Sequence, residues 1–390
     1  MSANHPVVII GGGPVGATLA LSLLSRGIAC TLLEARAHGA SHQDQRALAL
    51  SAGTRLILQR LGVWEPLAAK ATAINTIHIS QRGSIGRTLL KAEDQGQEAL
   101  GYVASYGALT SVLDQALAND SDARIFHEAE VSEVLPGSAG TRLTFIQQGQ
   151  PVTLDSQLAV LADGGRSLGS IPGLERETRE YGHDALVSKV SAELPHDNIA
   201  YERFTPAGPM ALLPNGERDF SLVWTGEQQA IKQILALDDE VFLAELHRHF
   251  GDRVGRFLSV GKRMSFPLRL SRLKPVVLPH FAVIGNAAQT MHPVAGQGFN
   301  VGLRDAWNLS LQIAQAPPAS WGTAAMLETY AATRQRDTSH GLLFTDFLVN
   351  IFSNEILGVS ALRGAGLGLL DIASPAKRFL INKMSYGARG

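Results

Sequence analysis

Three glycines near the start of the chain are spaced so that the backbone could hold a phosphate group. Gly11, Gly13 and Gly16 form a Gly-x-Gly-x-x-Gly pattern directly after a β-branched run. Gly11 permits a tight turn, Gly13 lets the backbone approach a pyrophosphate, and Gly16 lets the following helix pack closely on the strand. The amides and the dipole of that helix N-terminus favour an anion. Glycine-rich turns also form for packing alone, so the pattern needs support from its surroundings.

A carboxylate that follows the turn supplies this support. Glu34 ends the next apolar run, and it stands about 20 residues after the turn, where a dinucleotide-binding fold places an acidic group on the ribose hydroxyls. The alternative is an ordinary surface glutamate at a strand end. A negative charge at this place disfavours a 2′-phosphate, so the pattern indicates NAD or FAD rather than NADP.

A second glycine-rich segment, at residues 284–300, distinguishes between these two dinucleotides. Its pattern again predicts a strand, a turn, a loop and a helix, so backbone amides around residues 296–300 would face a polar group. A reduced flavin carries negative charge at its N1 and C2 carbonyl edge, which such amides would stabilise. A simple turn between strand and helix explains one glycine but not both Gly296 and Gly298. We therefore predict FAD.

The elements that position these turns follow from the apolar spacing. Residues 7–10 and 31–34 are apolar strands, and residues 14–26 between them have helical spacing. The chain thus opens with a βαβ unit, which implies a parallel sheet. A third turn, at Asp163 and Gly164, follows another predicted strand at residues 157–161.

The middle of the chain has a different pattern. Short alternating runs at residues 76–80, 124–127 and 142–146 predict strands, and residues 210–213 and 220–224 flank the turn Pro214-Asn215-Gly216. This hairpin indicates an antiparallel sheet in a second, inserted domain. Helical spacing returns at residues 240–250 and 299–314. Because no long linker separates the two domains, we expect them to be interleaved.

Composition excludes several classes of protein. A chain of 390 residues with 45% hydrophobic residues can bury a sizeable core. Its 34 Lys and Arg residues are balanced by 35 Asp and Glu residues, so it has no general attraction for nucleic acid. Cys30, the single cysteine, lies in an apolar run and is interpreted as a core residue. We predict no disulfide framework and no metal site, and, since no secretory or transit pattern precedes the first strand, a cytoplasmic protein.

The most apolar late segments lie at residues 341–352 and 356–370 and are interrupted by Asp346 and Arg363. A helix that spans a bilayer needs about 20 apolar residues, so we expect no spanning helix here. Two interpretations stay open. The segments are core-facing helices of a C-terminal cap, or they form an amphipathic surface that contacts the inner membrane peripherally.

The three turns, in this order and at these separations, resemble those of the group A flavoprotein monooxygenases, the p-hydroxybenzoate hydroxylase type, over nearly the whole chain. The segment 285–300 is similar to the ubiquinone-biosynthesis hydroxylases of that family, as are residues 44–51, 202–205, 261–263 and 266–268. The resemblance implies an α/β fold with a Rossmann-like FAD-binding domain interleaved with an antiparallel-sheet substrate domain. We expect the FAD-binding domain at residues 1–73, 101–181 and 264–320, the substrate domain at 74–100 and 182–263, and a C-terminal helical segment at 321–390.

The resemblance also implies which residues contact the cofactor. Gly11, Gly13, Gly16 and Glu34 are expected on the ADP half, and Asp163 and Gly164 on the pyrophosphate. Arg46 is expected along the dinucleotide near the flavin. Those expected on the ribityl chain and the isoalloxazine are Gly285, Asn286, Pro293, Gly296, Gln297, Gly298 and Asn300.

Two positions depart from the pattern of the wider family. Asn286 stands where most relatives have Asp, but the ubiquinone branch is similar in having Asn, and an amide can still bond a ribityl hydroxyl. Gly107 and Ala108 stand near the start of a predicted helix at 109–117 where relatives often have Arg or Asn. One pyrophosphate contact is therefore in question.

The implied reaction is the reduction of FAD, reaction with O2, and transfer of one oxygen atom to a polyprenylated phenol, with 2-polyprenyl-6-methoxyphenol as the expected substrate. NAD(P)H or another reductant would bind transiently, and other ubiquinone-biosynthesis proteins could share a complex. Three alternatives stay open: a sister hydroxylase that acts at another ring carbon, a hydroxylase of a small soluble phenol, and a non-catalytic flavin-bound subunit.

Two sets of residues are candidates for the chemistry itself. His292, next to Pro293 in the flavin loop, is the candidate general base, although a histidine before a proline more often orders the turn. The candidate substrate lining is Arg203, Phe204, Met210, Leu212, Trp224 and Phe266. Half of that set must face away because strand residues alternate sides, and each is otherwise an ordinary core or surface position. A polyprenyl tail would contact residues 341–380.

Overall fold

The computed structural model describes residues 5–83, 86–290 and 297–336, together with residues 338, 378, 381–382 and 385–386. Its helices are α1 (Pro14–Leu24), α2 (Ala52–Arg60), α3 (Trp64–Ala68), α4 (Tyr106–Ala118), α5 (Gln228–Leu235), α6 (Asp239–Phe250) and α7 (Gln297–Gln315). Residues 324–336 are also helical and begin the predicted C-terminal helical segment.

The strands of the described residues form three sheets. In chain order they are β1 (His5–Ile10), β2 (Cys30–Glu34), β3 (Ala47–Ser51), β4 (Thr72–Ile74), β5 (Thr76–Gln81), β6 (Arg87–Lys91), β7 (Gly101–Ser105), β8 (Ala123–His127), β9 (Glu130–Pro136), β10 (Thr141–Gln147), β11 (Gln150–Leu161), β12 (Glu175–Ala192), β13 (Ile199–Thr205), β14 (Gly208–Pro214), β15 (Asp219–Glu227), β16 (Phe257–Val260), β17 (Met264–Lys274), β18 (Val277–Leu278), β19 (Phe281–Val283) and β20 (Gln289–Thr290).

The first sheet is built around β1 and has the order β18-β19-β11-β1-β2-β8. β1 pairs in parallel with both β2 and β11, and β2 and β11 pair in parallel with β8 and β19. The antiparallel strands β9 and β10 extend from β11. The predicted βαβ unit and parallel sheet are confirmed.

The opening strand forms at the centre of this sheet because it is apolar on both faces. Val7 and Ile9 belong to a core that includes α1, α4 and α7, whereas Val8 and Ile10 belong to a core on the opposite face. A parallel sheet covered on both sides needs such a continuous apolar run. Cys30 is buried in the first of these cores, as predicted, and burial raises the pKa of its thiol to about 12.

The second sheet is largely antiparallel and has the order β20-β17-β12-β15-β14-β13-β5-β6. The predicted hairpin is confirmed as β14 and β15, which is closed by a hydrogen bond of 2.9 Å from the Asn215 amide to the Asp219 carbonyl. One face of the sheet packs under α5 and α6, where Ile231 and Phe242 contact the apolar side chains of β12, β14 and β15.

The other face of the second sheet packs towards the first domain. A third, small antiparallel sheet with the order β3-β7-β4 lies there. Ile74 and Val103 of this small sheet form an apolar cluster with Ala200, Ile77 and Leu213 of the large one. The two faces of the large sheet therefore have different neighbours: α5 and α6 on one side, and the small sheet of the first domain on the other.

The predicted domain boundaries remain a proposal. β12 runs without interruption across the boundary between residues 181 and 182, and β17, which begins at the boundary after residue 263, pairs with β12 in the large sheet. Both strands thus join the two domains physically. No helix among the described residues is long and apolar enough to cross a membrane, and most of the segment 341–380 lies outside the described residues.

We predict that Met210→Ala destabilises the core between the large sheet and helices α5 and α6. Met210 has no exposed surface and lies among the apolar side chains under α5 and α6, so its truncation leaves a cavity that costs about 2–5 kcal/mol. Chemical denaturation of the purified protein measures this loss. The control is Val241→Ala on α6, where the side chain is 48% exposed and the expected change is within about 0.5 kcal/mol. Equal losses in both variants would contradict the packing described.

Candidate functional site

A cavity of about 460 Å³ lies where the predicted turns meet at the carboxyl ends of the parallel strands. Ligands of open α/β sheets bind at this edge. The cavity brings together eight of the predicted cofactor residues, namely Gly11, Gly13, Glu34, Arg46, Asp163, Gly164, Asn286 and Gly298. It is also lined by residues that the sequence did not single out: Arg36, Tyr106, Arg166, Phe299 and Gly302.

The N-terminus of α1 opens into this cavity. Gly13 is the N-cap residue, and no side chain caps the first turn, so its amides are available to an anion. Gly11 has a φ of +105°, which favours glycine. A Cβ atom at Gly16 would lie 1.9 Å from the Gly11 carbonyl oxygen. The helix can therefore approach the strand only because residue 16 is glycine.

Glu34 stands beside the turn and fixes its shape. Its carboxylate accepts hydrogen bonds from the Gly12 amide at 2.7 Å and from Nε of Arg36 at 2.7 Å. Burial by itself raises the pKa of Glu34, but the hydrogen bonds from Arg36 and Gly12 and the charge of Arg36 outweigh it, so the net pKa is lowered. The carboxylate is thus ionised at neutral pH and is positioned to accept from a ribose.

Asp163 organises the third turn through its own backbone. Its carboxylate accepts hydrogen bonds from the amides of Gly165 at 2.7 Å and Ser167 at 2.8 Å. Gly164 and Gly165 both have positive φ, at +78° and +94°. The side chain of Asp163 therefore shapes the loop, while the loop itself lines the cavity.

The departure at Gly107 has a structural explanation. A Cβ atom at Gly107 would lie 2.2 Å from the His42 carbonyl oxygen, so glycine allows the loop before β3 to reach the start of α4. Tyr106 stands at the cavity in its place, and the guanidinium of Arg46 lies 4.9 Å from the centre of its ring. The sequence indicated that one expected pyrophosphate contact is missing, but it did not indicate that Tyr106 lies at the cavity instead.

The second glycine-rich segment supplies the opposite wall. Gly285 has a φ of +64°, and a Cβ atom there would lie 3.2 Å from Val15 of α1. Asn286 and Gly298 line the cavity, and Gln297 begins α7. Asn300 is buried and bonds to β3 and α2, since its Oδ1 accepts from the Ser51 amide at 2.8 Å and from Oγ1 of Thr54 at 2.7 Å.

Asp305 of α7 is a positioning residue that the sequence reasoning missed. Its Oδ2 accepts hydrogen bonds from the Gly285 amide and from Nε of Arg334, both at 3.1 Å. The two charged side chains are 3% and 7% exposed. This buried ion pair fixes the turn at residue 285 to the helix at 324–336. A lone aspartate within a helical pattern gave no signal of this role.

Four other predicted site residues do not line the described part of the cavity. His292, Pro293 and Gly296 fall outside the described residues, so the proposed base stays a prediction. Gly16 contacts the backbone rather than the cavity.

Four of the six predicted substrate residues point towards α5 and α6: three are packed in the core there, and Arg203 bonds to α6. Met210, Leu212 and Trp224 belong to the core under α5 and α6, and Nε of Arg203 donates to the His249 carbonyl of α6 at 3.2 Å. Strand alternation then places Phe204 on the opposite side. Phe266, which is opposite Ala185 in the sheet and 45% exposed, also lies on that side.

The fold and the cavity define a dinucleotide-binding α/β protein whose two glycine-rich turns face each other across one cleft. The family of the FAD binding domain (FAD_binding_3) matches residues 4–340, and the chain belongs to this family. It is an FAD-dependent aromatic-ring monooxygenase.

Curated relatives and solved structures agree with this assignment. The chain is 35% identical over 381 residues to ubiquinone hydroxylase UbiL of Rhodospirillum rubrum, covering 96% of this chain and 88% of the relative. It is 30% identical over 390 residues to 3-demethoxyubiquinol 3-hydroxylase of Escherichia coli K12, covering 96% and 97% of the two chains. The structure of p-nitrophenol 4-monooxygenase PnpA from Pseudomonas putida DLL-E4 has the same fold, with a TM-score of 0.80, 15% identity and coverage of 99% and 98%.

The described residues fit FAD. The uncapped amides of α1 suit a pyrophosphate, the ionised Glu34 suits a ribose, and the cavity continues to Asn286 and Gly298 on the second turn. Bound FAD supplies the electrons that activate O2 for insertion of one oxygen atom, as is typical of this family.

We predict that Glu34→Ala weakens FAD binding by about 10- to 100-fold, because a hydrogen bond to a charged acceptor contributes about 1.5–3 kcal/mol. Titration of the apoprotein with FAD, followed by quenching of flavin fluorescence, measures the dissociation constant. Glu65→Ala, an exposed carboxylate of α3 in the same domain, is the matched control and should bind FAD normally. A Glu34→Ala protein with wild-type affinity would remove Glu34 from the cofactor site.

We also predict that Asp305→Asn lowers the free energy of unfolding by about 3–5 kcal/mol, because it leaves the buried guanidinium of Arg334 without this carboxylate. Urea denaturation of the apoprotein measures the loss, and FAD titration should show weaker binding because the Gly285 turn loses its anchor. Asp122→Asn, on an exposed loop, should stay within about 0.5 kcal/mol of wild type. A similar small change at Asp305 would show that the ion pair is dispensable.

Proposed function

We propose that the protein hydroxylates the aromatic ring of a polyprenylated phenol in ubiquinone biosynthesis. Relatives named ubiquinone hydroxylase and 3-demethoxyubiquinol 3-hydroxylase, at 35% and 30% identity over nearly the full chain, support this reaction class. A polyprenylated phenol is mostly hydrocarbon. The proposal therefore requires a binding surface that is apolar near the flavin.

An apolar cavity between the two domains carries the proposal. It has a volume of about 70 Å³ and joins β3, the Asn300 end of α7 and the cleft-facing side of the large sheet. Its lining is mostly aliphatic and includes Ala49, Leu50, Ile74, Ile77, Leu90, Leu100 and Ile381. A hydrocarbon tail gains about 25 cal/mol for each Å² of apolar surface that leaves water. The aliphatic lining of this cavity favours a polyprenylated phenol over a small soluble phenol.

Residues of this chain would bind and orient the phenol, and they would exclude water from the cleft. The cleft-facing side of the large sheet presents Phe204 and Phe266 in place of the four predicted residues that face the helices. Ile77 and Ala200 form the apolar floor that continues to Ile74 and Val103. Exclusion of water from such a cleft strengthens every electrostatic interaction within it and protects reactive species from hydrolysis.

The ring position is the finer part of the proposal. We propose 2-polyprenyl-6-methoxyphenol as the substrate, and the Escherichia coli relative named 3-demethoxyubiquinol 3-hydroxylase favours a sister reaction at another ring carbon as the second candidate. NAD(P)H or another reductant would bind transiently. Contact with other proteins of the pathway and with the inner membrane through residues 341–380 belongs to the same proposal.

We predict that deletion of the gene blocks ubiquinone formation and causes one hydroxylation precursor to accumulate. Mass spectrometry of the lipid extract identifies it: 2-polyprenyl-6-methoxyphenol supports the first candidate, and the demethoxy compound supports the second. A plasmid copy of the wild-type gene should remove the accumulated compound. A copy with Gly16→Ala should not, because the Cβ atom would collide with the Gly11 carbonyl. Normal quinone levels in the deletion strain would reject both candidates.

A further inference from the structure

One carboxyl group on the cleft-facing side of the large sheet has no role in the cofactor site. Glu202 lies on β13, opposite Ala211 of β14 and Ile79 of β5. Its neighbours two positions away along the strand, Ala200 and Phe204, point to the same side. Ala200 belongs to the apolar cluster that faces the small sheet. Glu202 therefore points into the cleft between the two domains and not towards α5 and α6.

The surroundings of Glu202 are almost entirely apolar. Among the described residues, no hydrogen bond or ion pair involves its carboxyl, and its cross-strand partners are aliphatic. The side chain keeps partial solvent accessibility, as expected for a group that lines an internal cleft. An isolated carboxyl in such a place is disfavoured unless a ligand or a proton compensates it. A ligand with a hydroxyl group would supply that partner.

A second polar group on the same side lacks a partner. Gln81 is opposite Phe204 in the sheet, so it shares the side of Glu202. It is 9% exposed, and its Oε1 is buried with no hydrogen-bond partner in the described part of the chain. Buried polar atoms are almost always hydrogen-bonded in folded proteins. Glu202 and Gln81, with the aliphatic Ala211 and Ile79 as neighbours, fit a ligand that is mostly hydrocarbon and carries a few oxygen atoms.

We propose that Glu202 is a catalytic residue that accepts the proton of the substrate's phenolic hydroxyl. The inference rests on the proposed function and deepens it by assigning the base. In this step the phenol O–H bond breaks, an O–H bond forms on the Glu202 carboxylate, and the electron pair left on the phenol oxygen enters the ring. No electrons are gained or lost. The ring carbons ortho and para to that oxygen become more nucleophilic, which electrophilic insertion of oxygen requires.

Burial raises the pKa of Glu202 to about 8, and no charge contributes to this shift. Charged or titratable groups on this side of the sheet lie on β12, β15 and β17, and they include His183, Lys189, Asp219, Glu227, Arg272 and Lys274. These strands lie two to four positions away from β13, at about 5 Å per strand. Lys189 and Asp219 also form an ion pair with each other, at 2.7 Å. The small sheet presents apolar Ile74 and Val103. None of these charged groups lies on β14 or β5, the strands next to β13, so burial governs the pKa of Glu202.

The sign of the pH dependence follows from this shift. Below pH 8 the carboxyl is protonated and cannot accept the phenol proton. As the pH rises through about 8, the carboxylate forms and hydroxylation becomes faster. Glu202→Gln removes this dependence, and product formation in the variant should rise only towards pH 10, the usual pKa of a phenol.

The experiment uses the FAD-loaded protein, reduced with dithionite and mixed with oxygenated buffer and 2-prenyl-6-methoxyphenol. Dithionite makes the result independent of the natural reductant. Three quantities are measured from pH 6 to pH 10: the rate of product formation, the hydroxylated product formed per flavin, and the hydrogen peroxide released when oxygen is reduced without insertion. Substrate affinity is measured separately from the change in flavin absorbance on binding.

At pH 8 we expect Glu202→Gln to keep its FAD content and to bind the phenol within about threefold of wild type. Product formation should be about 100-fold slower, with hydrogen peroxide released in its place. Glu202→Asp keeps a carboxylate and should keep a pH-dependent rise with a lower rate. Glu217→Gln, at the exposed tip of the hairpin, is the matched control and should behave as wild type. Because an amide removes the cost of an ionised buried group, Glu202→Gln should be at least as resistant to heat as wild type at pH 8.

The outcomes separate the two proposals. If wild-type protein gives no hydroxylated phenol, the proposed function fails. If wild type hydroxylates the phenol and Glu202→Gln has the same rate and the same pH dependence, the proposed function stands and the assignment of Glu202 is overturned. Loss of phenol binding with an unchanged pH dependence would make Glu202 a binding group only, and would equally overturn its role as a base.

Discussion

The site depends on the uncapped amides at the N-terminus of α1, and the surrounding residues hold these amides in place. They need an anion, and they must stand close to the end of β1 for a dinucleotide to reach both the helix and the sheet. Gly16 makes the close approach feasible, and Gly11 supplies the left-handed turn before it. Glu34 then completes the turn by accepting the Gly12 amide. The rest of the site is arranged around this close approach of α1 to the end of β1.

The two faces of the large sheet have different roles. The side under α5 and α6 is filled by Met210, Leu212 and Trp224, which stabilise the domain. The other side, which faces the small sheet, carries the carboxyl of Glu202. Since a strand alternates its side chains, the same short segment builds the core and the binding surface. A change at one residue and a change at the next thus have different consequences for stability and for chemistry.

Local patterns predicted much of the fold, and the same physics explains where prediction stopped. Apolar residues recur at every second position in strands and at every third or fourth position in helices. This spacing made visible the βαβ opening, the hairpin at residues 214–219 and helices α6 and α7. The turns at Gly11, Asp163 and Gly285 were also visible, because each follows a strand. The orientation of β13 and β14 was not visible in the sequence. Alternation divides the side chains of a strand into two sets, but it does not show which set will face α6. Tyr106, Asp305 and Glu202 were missed because their partners are distant in sequence and become neighbours only through the fold.

The Asp305 carboxylate has a thermodynamic consequence, because it touches the cofactor turn and a late helix at once. A ligand that fixes the Gly285 turn also fixes Asp305, and Asp305 in turn fixes Arg334. Linkage then requires the converse: docking of the helix at 324–336 increases the affinity of the turn for its ligand by the same factor. Flavin binding is therefore expected to stabilise the helix at 324–336, and in the protein without its vitamin-derived partner this helix should be cut more readily by proteases.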